Sequence, residues 1–408
     1  MYKSHYENVP FEIPKSWVLS DFSELVTLLS GRDLESNDCN SNREGIPYLI
    51  GASNIVDGKI NITRWTTRPL VISKRGDILI SCKGTIGEVV TNVIGEIHIA
   101  RQFMAIQTLP MVYADYIELY IKSIVNNIKR NARGVIPGIS REDILQREIA
   151  LPPLEEQKRI VIEVEKWLDY IADIEAEKDE LESHIKKTKS KILDLAISGK
   201  LVPQDPDDKP AIEFLKRINP NFQPCDNSHY ENIEFDILQN WVWATIGDIF
   251  EHNTGKALNA SNPNGTMLDY ITTSNLYWDR FELSIIKQMP FTESEIERCI
   301  VRKGDLLICE GGDVGRAAIW DYDYNIMIQN HIHRLRGKVD ICTRYFFYLF
   351  MHYKLHNLIG GKGVAIQGLS SRDLHNLIIP VPSLKEQYDI ASSIDLYFSK
   401  LDMITAEL

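Results

Sequence analysis

No stretch of eighteen or more apolar residues occurs in this chain, so a membrane-spanning helix is not expected. The opening residues Met1-Tyr2-Lys3-Ser4-His5 lead into no apolar run, which argues against a secretory signal. Cysteine is scarce: Cys39, Cys82, Cys225, Cys299, Cys309 and Cys342 are the only six in 408 residues, and none forms a CxxC pair. That pattern favours reduced, buried or incidental thiols in a cytosolic protein over a disulfide frame or zinc site. No GxxxxGK[ST] phosphate loop is present, and Gly360-Gly361-Lys362-Gly363 has the wrong spacing for one. HExxH is missing, and His331 and His333, which share a strand face, have no third ligand in sight, so no metal site is expected. An amino-methyltransferase would need an Asn/Asp-Pro-Pro-aromatic motif. Asn219-Pro220-Asn221-Phe222 lacks the second proline, and Leu151-Pro152-Pro153-Leu154 lacks both the acceptor and the aromatic ring. A non-catalytic chain with no cofactor of its own is the expectation.

Basic charge is also lacking. The net charge of −12 arises unevenly. Residues 1–150 carry 17 basic and 17 acidic groups, 151–213 carry 10 and 16, and 214–408 carry 18 and 24. A neutral domain can still turn one basic face outward, but it grips phosphates less firmly alone than a basic protein does. Any hold on nucleic acid is therefore expected to be shared with a partner.

What the chain does contain is itself, twice. SHYENVPFEIPKSWV (4–18) and SHYENIEFDILQNWV (228–242) agree at nine of fifteen positions, and Trp17 pairs with Trp241. The match continues through Gly31-Arg32 with Gly255-Lys256, Ser53-Asn54-Ile55 with Ser274-Asn275-Leu276, and Gly76-Asp77-Ile78 with Gly304-Asp305-Leu306. Gln102 aligns with Asn330, Gly138-Ile139-Ser140 with Gly368-Leu369-Ser370, and Glu156-Gln157 with Glu386-Gln387. A period this long is a duplicated domain and not a solenoid. Each copy reads as mixed α and β: GDILISC and GDLLICE are short apolar strands, and 113–131 and 343–359 are helical.

After the first copy, Ile160, Val164, Trp167, Ile171, Ile174, Lys178, Leu181, Ile185, Thr188, Ile192 and Leu195 keep 4-3 spacing, the signature of a coiled-coil seam. The second copy repeats it through Ile390, Ile394, Tyr397, Leu401, Ile404 and Leu408. Two seams in one chain can pair antiparallel, which would leave the globular copies at opposite ends; a seam used only for homodimerisation is the alternative. The resulting plan is an α+β chain. It has a first globular domain at 1–151, a central helix at 152–200, a connector at 201–227 with a short helix in IEFLKRI, a second globular domain at 228–381 and a short terminal helix at 382–408.

This organisation resembles the specificity (S) subunit of type I restriction-modification enzymes. The residues that carry the resemblance are Leu151-Pro152-Pro153-Leu154-Glu155-Glu156-Gln157 and Pro380-Val381-Pro382-Ser383-Leu384-Lys385-Glu386-Gln387, each opening a helix, together with Ile197-Ser198-Gly199-Lys200-Leu201-Val202-Pro203-Gln204. The resemblance covers nearly the whole chain. It implies two target recognition domains, each reading half of a split double-stranded DNA site. It also implies helices that set the gap and dock two methyltransferase subunits, which would carry S-adenosylmethionine, and a separate motor-nuclease subunit that adds restriction. One departure stands out: the second seam stops at Leu408, which corresponds to Lys178. Leu181 to Leu195 are therefore expected to lack an intramolecular partner and to be covered by a methyltransferase subunit or a second copy. A truncated chain that works as a pair or not at all, and a coiled-coil scaffold with no DNA role, are the competing readings.

Base edges are read by Arg, Lys, Asn, Gln or Glu, with other donors on phosphates. In the first copy the candidates are Arg64, Trp65, Arg68, Lys83, Arg101, Gln102 and Arg133, with Arg32 assigned to phosphate. In the second they are Asn259, Arg280, Glu310, Arg316, Gln329, His331, Lys362 and Gln367, with Lys256 assigned to phosphate. Segments 60–70 and 277–290 match poorly, as expected if the copies read different bases or if surface loops simply vary.

Overall fold

The computed structural model describes residues 13–131, 138–225, 237–258, 264–359 and 369–408. Two compact units, 1–175 and 176–408, share the chain. The duplication seen in the sequence is repeated strand for strand. In the first unit one sheet orders Val26–Ser30, Phe103–Thr108, Ile78–Ser81 and Val89–Thr91, and a second orders Arg64–Thr66, Ile46–Leu49, Ile97–Ile99 and Ile72–Ser73. The second unit has the same two orders. One sheet runs Phe250–Thr254, Ile332–Gly337, Leu306–Cys309 and Ala317–Ile319, and the other Lys287–Phe291, Thr266–Ile271, Ile326–Ile328 and Ile300–Val301.

The apolar tetrads Ile78–Ser81 and Leu306–Cys309 are buried along their whole length, as central strands covered on both faces must be. The aspartates opening them, Asp77 and Asp305, accept the backbone N–H groups of Lys74 and Arg302 at 2.8 and 2.7 Å, closing the turn before each strand. Asn54 and Asn275 pin the next loop in both copies, donating to the carbonyls of Asn61 and Glu282. Gly31 and Gly255 face backbone so closely that an added Cβ would lie 2.1 and 2.2 Å from the carbonyl oxygens of Ala100 and Ile328. The shared motifs of the two copies are thus largely turn-closing and loop-pinning groups.

One alignment shifts. Cys82 N–H donates to the Gln102 carbonyl, and Glu310 N–H to the His331 carbonyl. Gln102 is therefore equivalent to His331 rather than to Asn330, and Arg101 to Asn330. The second copy has one extra residue in the turn before Ile326, while its equivalent strand pairs are unchanged.

Leu154–Ile197 is a single helix of 44 residues, about 66 Å long. The IEFLKRI stretch forms the helix Ala211–Ile218. Within the second unit, Leu384–Glu407 runs antiparallel to the last part of the long helix. Lys178 donates to the carbonyl of Leu408, Lys189 pairs with Asp402 and lies 5.0 Å from the Phe398 ring, and Leu193, Ala196 and Ile197 share a core with Ile390, Ala391 and Ile394.

This corrects the expectation for Leu181 to Leu195. Position 178 is the homologue of 408, and in an antiparallel pair it is also its neighbour, so the terminal helix runs alongside the stretch expected to be bare, where Ile185 is buried and Ile192 and Leu195 are half-buried. The exposed apolar side chains lie earlier: Trp167, Ile171 and Ile174 are 57%, 50% and 65% exposed, while Ile160 and Val164 are half-buried. The buried face also drifts from the heptad positions. Leu193 and Ala196 are buried more deeply than Ile192 and Leu195, because a straight helix turns about 20° per heptad away from a strict seven-residue repeat. Ile185, Ile390 and Ile394 are buried and Leu401 is half-buried, whereas Leu181, Tyr397 and Ile404 remain 38%, 43% and 43% exposed.

Candidate nucleic-acid interface

In each copy three strands of one sheet bring their ends together. In the first, Ser30 and Ser81 finish their strands opposite Met104 and Phe103, so the loops at 31–33, 82–84 and 101–102 meet at one edge. Arg32, Lys83, Arg101 and Gln102 sit there. Arg32, Lys83 and Arg101 are exposed, and Gln102 is half-buried, its amide oxygen packed against Gly51. Arg101 makes a 2.7 Å ion pair with Asp33.

Arg64, Trp65 and Arg68 come from the edge strand of the other sheet and the turn after it. Arg64 donates to the Ser41 hydroxyl at 3.3 Å, Arg68 pairs with Asp38 at 3.2 Å, and the Arg43 guanidinium lies 5.6 Å from the Trp65 ring. The loop 31–45 therefore holds Asp33, Asp38 and Arg43 among the candidate side chains. The sequence reading missed all three; their proximity to the basic candidates through one loop was the available signal. With the Arg68 and Arg101 side chains 78% and 67% exposed, these ion pairs are weak and exchangeable for a phosphate or a base edge.

The same edge in the second copy presents different chemistry. Glu310 and His331 face each other at 3.6 Å, where the first copy has Cys82 and Gln102. Arg316 lies half-buried between Leu306–Cys309 and Ala317–Ile319, donating to the Thr273 carbonyl at 2.6 Å. Its guanidinium is 5.0 Å from the Tyr277 ring, and that of exposed Arg280 is 4.6 Å from the same ring. Tyr277 is a second omission from the sequence reading: it belongs to the hairpin Leu276–Tyr277 and Arg280–Phe281, whose counterpart Ile55–Val56 and Lys59–Ile60 turns through Asp57 and Gly58 at φ 50° and 68°. Gln329 is half-buried and its N–H donates to the Ile271 carbonyl.

Lys256 is not where a phosphate anchor belongs. It is 5% exposed, and its Nζ is held by Glu295 and the Pro290 carbonyl, both at 2.7 Å. Burial without that carboxylate would cost several kcal/mol, so the pair is a packing element. Its counterpart Arg32 stays exposed. Arg133, Asn259, Lys362 and Gln367 lie outside the described residues.

His333 is fully buried and not a surface residue. Its Nδ1 meets His252 Nε2 at 3.0 Å and its Nε2 meets the Leu369 carbonyl at 2.8 Å. Burial, with His333 next in weight, pushes the His252 pKa down to about 4. The fold also assembles a cluster that sequence distance hid: Asp194, His352 and His356 bring three ligand atoms within 4.8 Å of one another.

A family model described as the type I restriction modification DNA specificity domain matches the chain twice, at residues 14–183 and 239–408. The chain is 20% identical to the type I restriction enzyme EcoBI specificity subunit of Escherichia coli, over 97% of this chain and 82% of that protein. It is 22% identical to the EcoAI specificity subunit of the same species, over 95% and 78%. A putative type I restriction enzyme MjaX specificity subunit of Methanocaldococcus jannaschii is 29% identical across 49% of this chain and 47% of its own length. In fold, the chain is similar to the HsdS subunit from Thermoanaerobacter tengcongensis, with a TM-score of 0.62, 16% identity and coverage of 98% and 93%. A chain from a structure of a type I R-M system gives a TM-score of 0.68 at 17% identity, covering 98% and 94%.

Proposed function

Because the chain belongs to the family of type I restriction modification DNA specificity domains, we propose that its two copies each read one half of a split double-stranded DNA site. One observation carries this reading: equivalent strand ends in the two copies carry unlike side chains. Cys82, Arg101 and Gln102 of the first copy are answered by Glu310, Asn330 and His331 of the second. Arginine favours guanine, asparagine and glutamine favour adenine, and glutamate accepts from cytosine, so the two edges select different bases. The length of the linking helix would set the gap, since half-sites read from one side of DNA fall about one helical turn apart or at multiples of that.

The chain contributes recognition and leaves chemistry to its partners. Two methyltransferase subunits, carrying S-adenosylmethionine, would dock on the helices, and motor-nuclease subunits would complete the complex; cytoplasmic assembly follows from that role. Among the described residues no helix is long and apolar enough to cross a membrane. The exposed Trp167, Ile171 and Ile174 favour the first part of the long helix as a docking face, for a methyltransferase subunit or for a second copy of this chain. Light scattering of the chain alone tests the second copy: a dimer that dissociates in Ile171→Asp supports it, and a monomer rules it out, leaving the methyltransferase to be tested by loss of its binding in the same variant.

The reading is tested by mapping methylated bases across the host genome with and without the gene. A motif with two unlike halves and a fixed gap should vanish on deletion. Unchanged methylation would overturn the proposal. Arg101→Ala should relax one half-site only, whereas uniform weakening across sequences would assign Arg101 to phosphate.

A further inference from the structure

Asp194 lies near the end of the long helix, and His352 and His356 lie one helical turn apart at the end of Thr343–Leu355. Both imidazoles aim Nε2 at the same carboxylate oxygen, Asp194 Oδ1, at 3.2 Å from His352 and 2.7 Å from His356. The two rings lean together with centroids 4.4 Å apart. We propose that Asp194, His352 and His356 form a binding site for one divalent transition-metal ion of the zinc class, which would clamp the long helix to the second recognition domain.

Three arguments support it. The donor set is two imidazole nitrogens and one carboxylate oxygen, which suits zinc, cobalt, nickel or copper and disfavours magnesium and calcium. The spacing is also close to what an ion needs. A tetrahedral zinc site with bonds of about 2.0–2.1 Å sets its donor atoms about 3.3 Å apart, so an ion could enter with small side-chain rotations. The His352 side chain is 7% exposed, while those of Asp194 and His356 are 33% and 42% exposed, so one side stays open for entry and for a water as fourth ligand. The sequence signal was His-x-x-x-His at 352–356, with its third member more than 150 residues earlier.

The alternative is that both imidazoles simply hydrogen-bond the carboxylate. Full-length protein is stripped with a chelator and titrated with Zn2+ by calorimetry and with Co2+ by visible absorption. The site predicts saturable uptake of one ion per chain, a Co2+ spectrum of low coordination number, and a rise in Tm on adding Zn2+. His356→Ala and Asp194→Asn should each weaken binding by about tenfold or more and abolish the metal-dependent rise in Tm, whatever they do to Tm in chelator. His252→Gln, at the second domain's other histidine cluster, should leave the affinity unchanged. No saturable uptake at micromolar free metal, or affinity unchanged in both ligand variants, would overturn the proposal.

Discussion

Gln157 and Gln387 show how much a single buried amide can hold. Each sits at the start of a long helix, accepts a backbone N–H through its oxygen (from Tyr113 and Cys342, at 2.8 and 3.1 Å) and donates to a proline carbonyl (Pro152 and Pro382). Gln387 is fully buried, so Gln387→Ala strands a donor and an acceptor; the second unit should lose about 1–3 kcal/mol, read as a lower denaturant midpoint. His252 gives a pH signature. Its folded pKa of about 4 lies below the ordinary 6.5, so the folded state resists the proton that the unfolded state accepts. The stability this contributes is complete above about pH 6.5 and is lost as pH falls toward 4. The Tm of wild type should therefore drop over that interval, and more steeply than that of His252→Gln.

At the scale of elements, the two helices of the second unit form the sharpest test of packing. Ile394 is fully buried against the end of the long helix, whereas Ile404 on the same element is 43% exposed. Ile394→Ala should cost about 2–5 kcal/mol and Ile404→Ala about 0.5 or less, by chemical denaturation. The 4-3 spacing made both helices legible in the sequence, and their antiparallel pairing was an available option. Which residues would be covered was misjudged, because repeat homology says which positions are alike and not which positions touch. The edge strands show the reverse limit. Arg64–Thr66 and Lys287–Phe291 occupy the same place in their sheets despite sequences that do not align, since an edge strand is constrained by backbone pairing on one side only.

At the scale of the whole molecule, the duplication was legible apart from the one-residue shift at Gln102 and the unaligned edge strands, because shared turn and loop pins such as Asp77 with Asp305 and Asn54 with Asn275 recur in both copies. The candidate site was legible only in part. Arg32, Lys83 and Arg101, chosen by residue type, are exposed at one sheet edge, but residue type could not foresee that Lys256 would be neutralised by Glu295 from 39 residues away. Net charge makes a prediction here. With −12 on the chain, DNA binding by this protein alone should be weak and fall steeply between about 50 and 200 mM salt; added methyltransferase subunits should raise affinity at every salt concentration, as measured by fluorescence anisotropy.

The unlike strand ends of the two copies also give the molecule a heads and a tails. Two identical readers related by symmetry would see a palindrome and could not tell one DNA strand from the other. If, as proposed, Arg101 and Gln102 read at one copy and Asn330 and His331 at the other, the chain would fit an asymmetric site in one orientation only. Each partner recruited to it would then inherit a polarity along the duplex, with a defined upstream and downstream side.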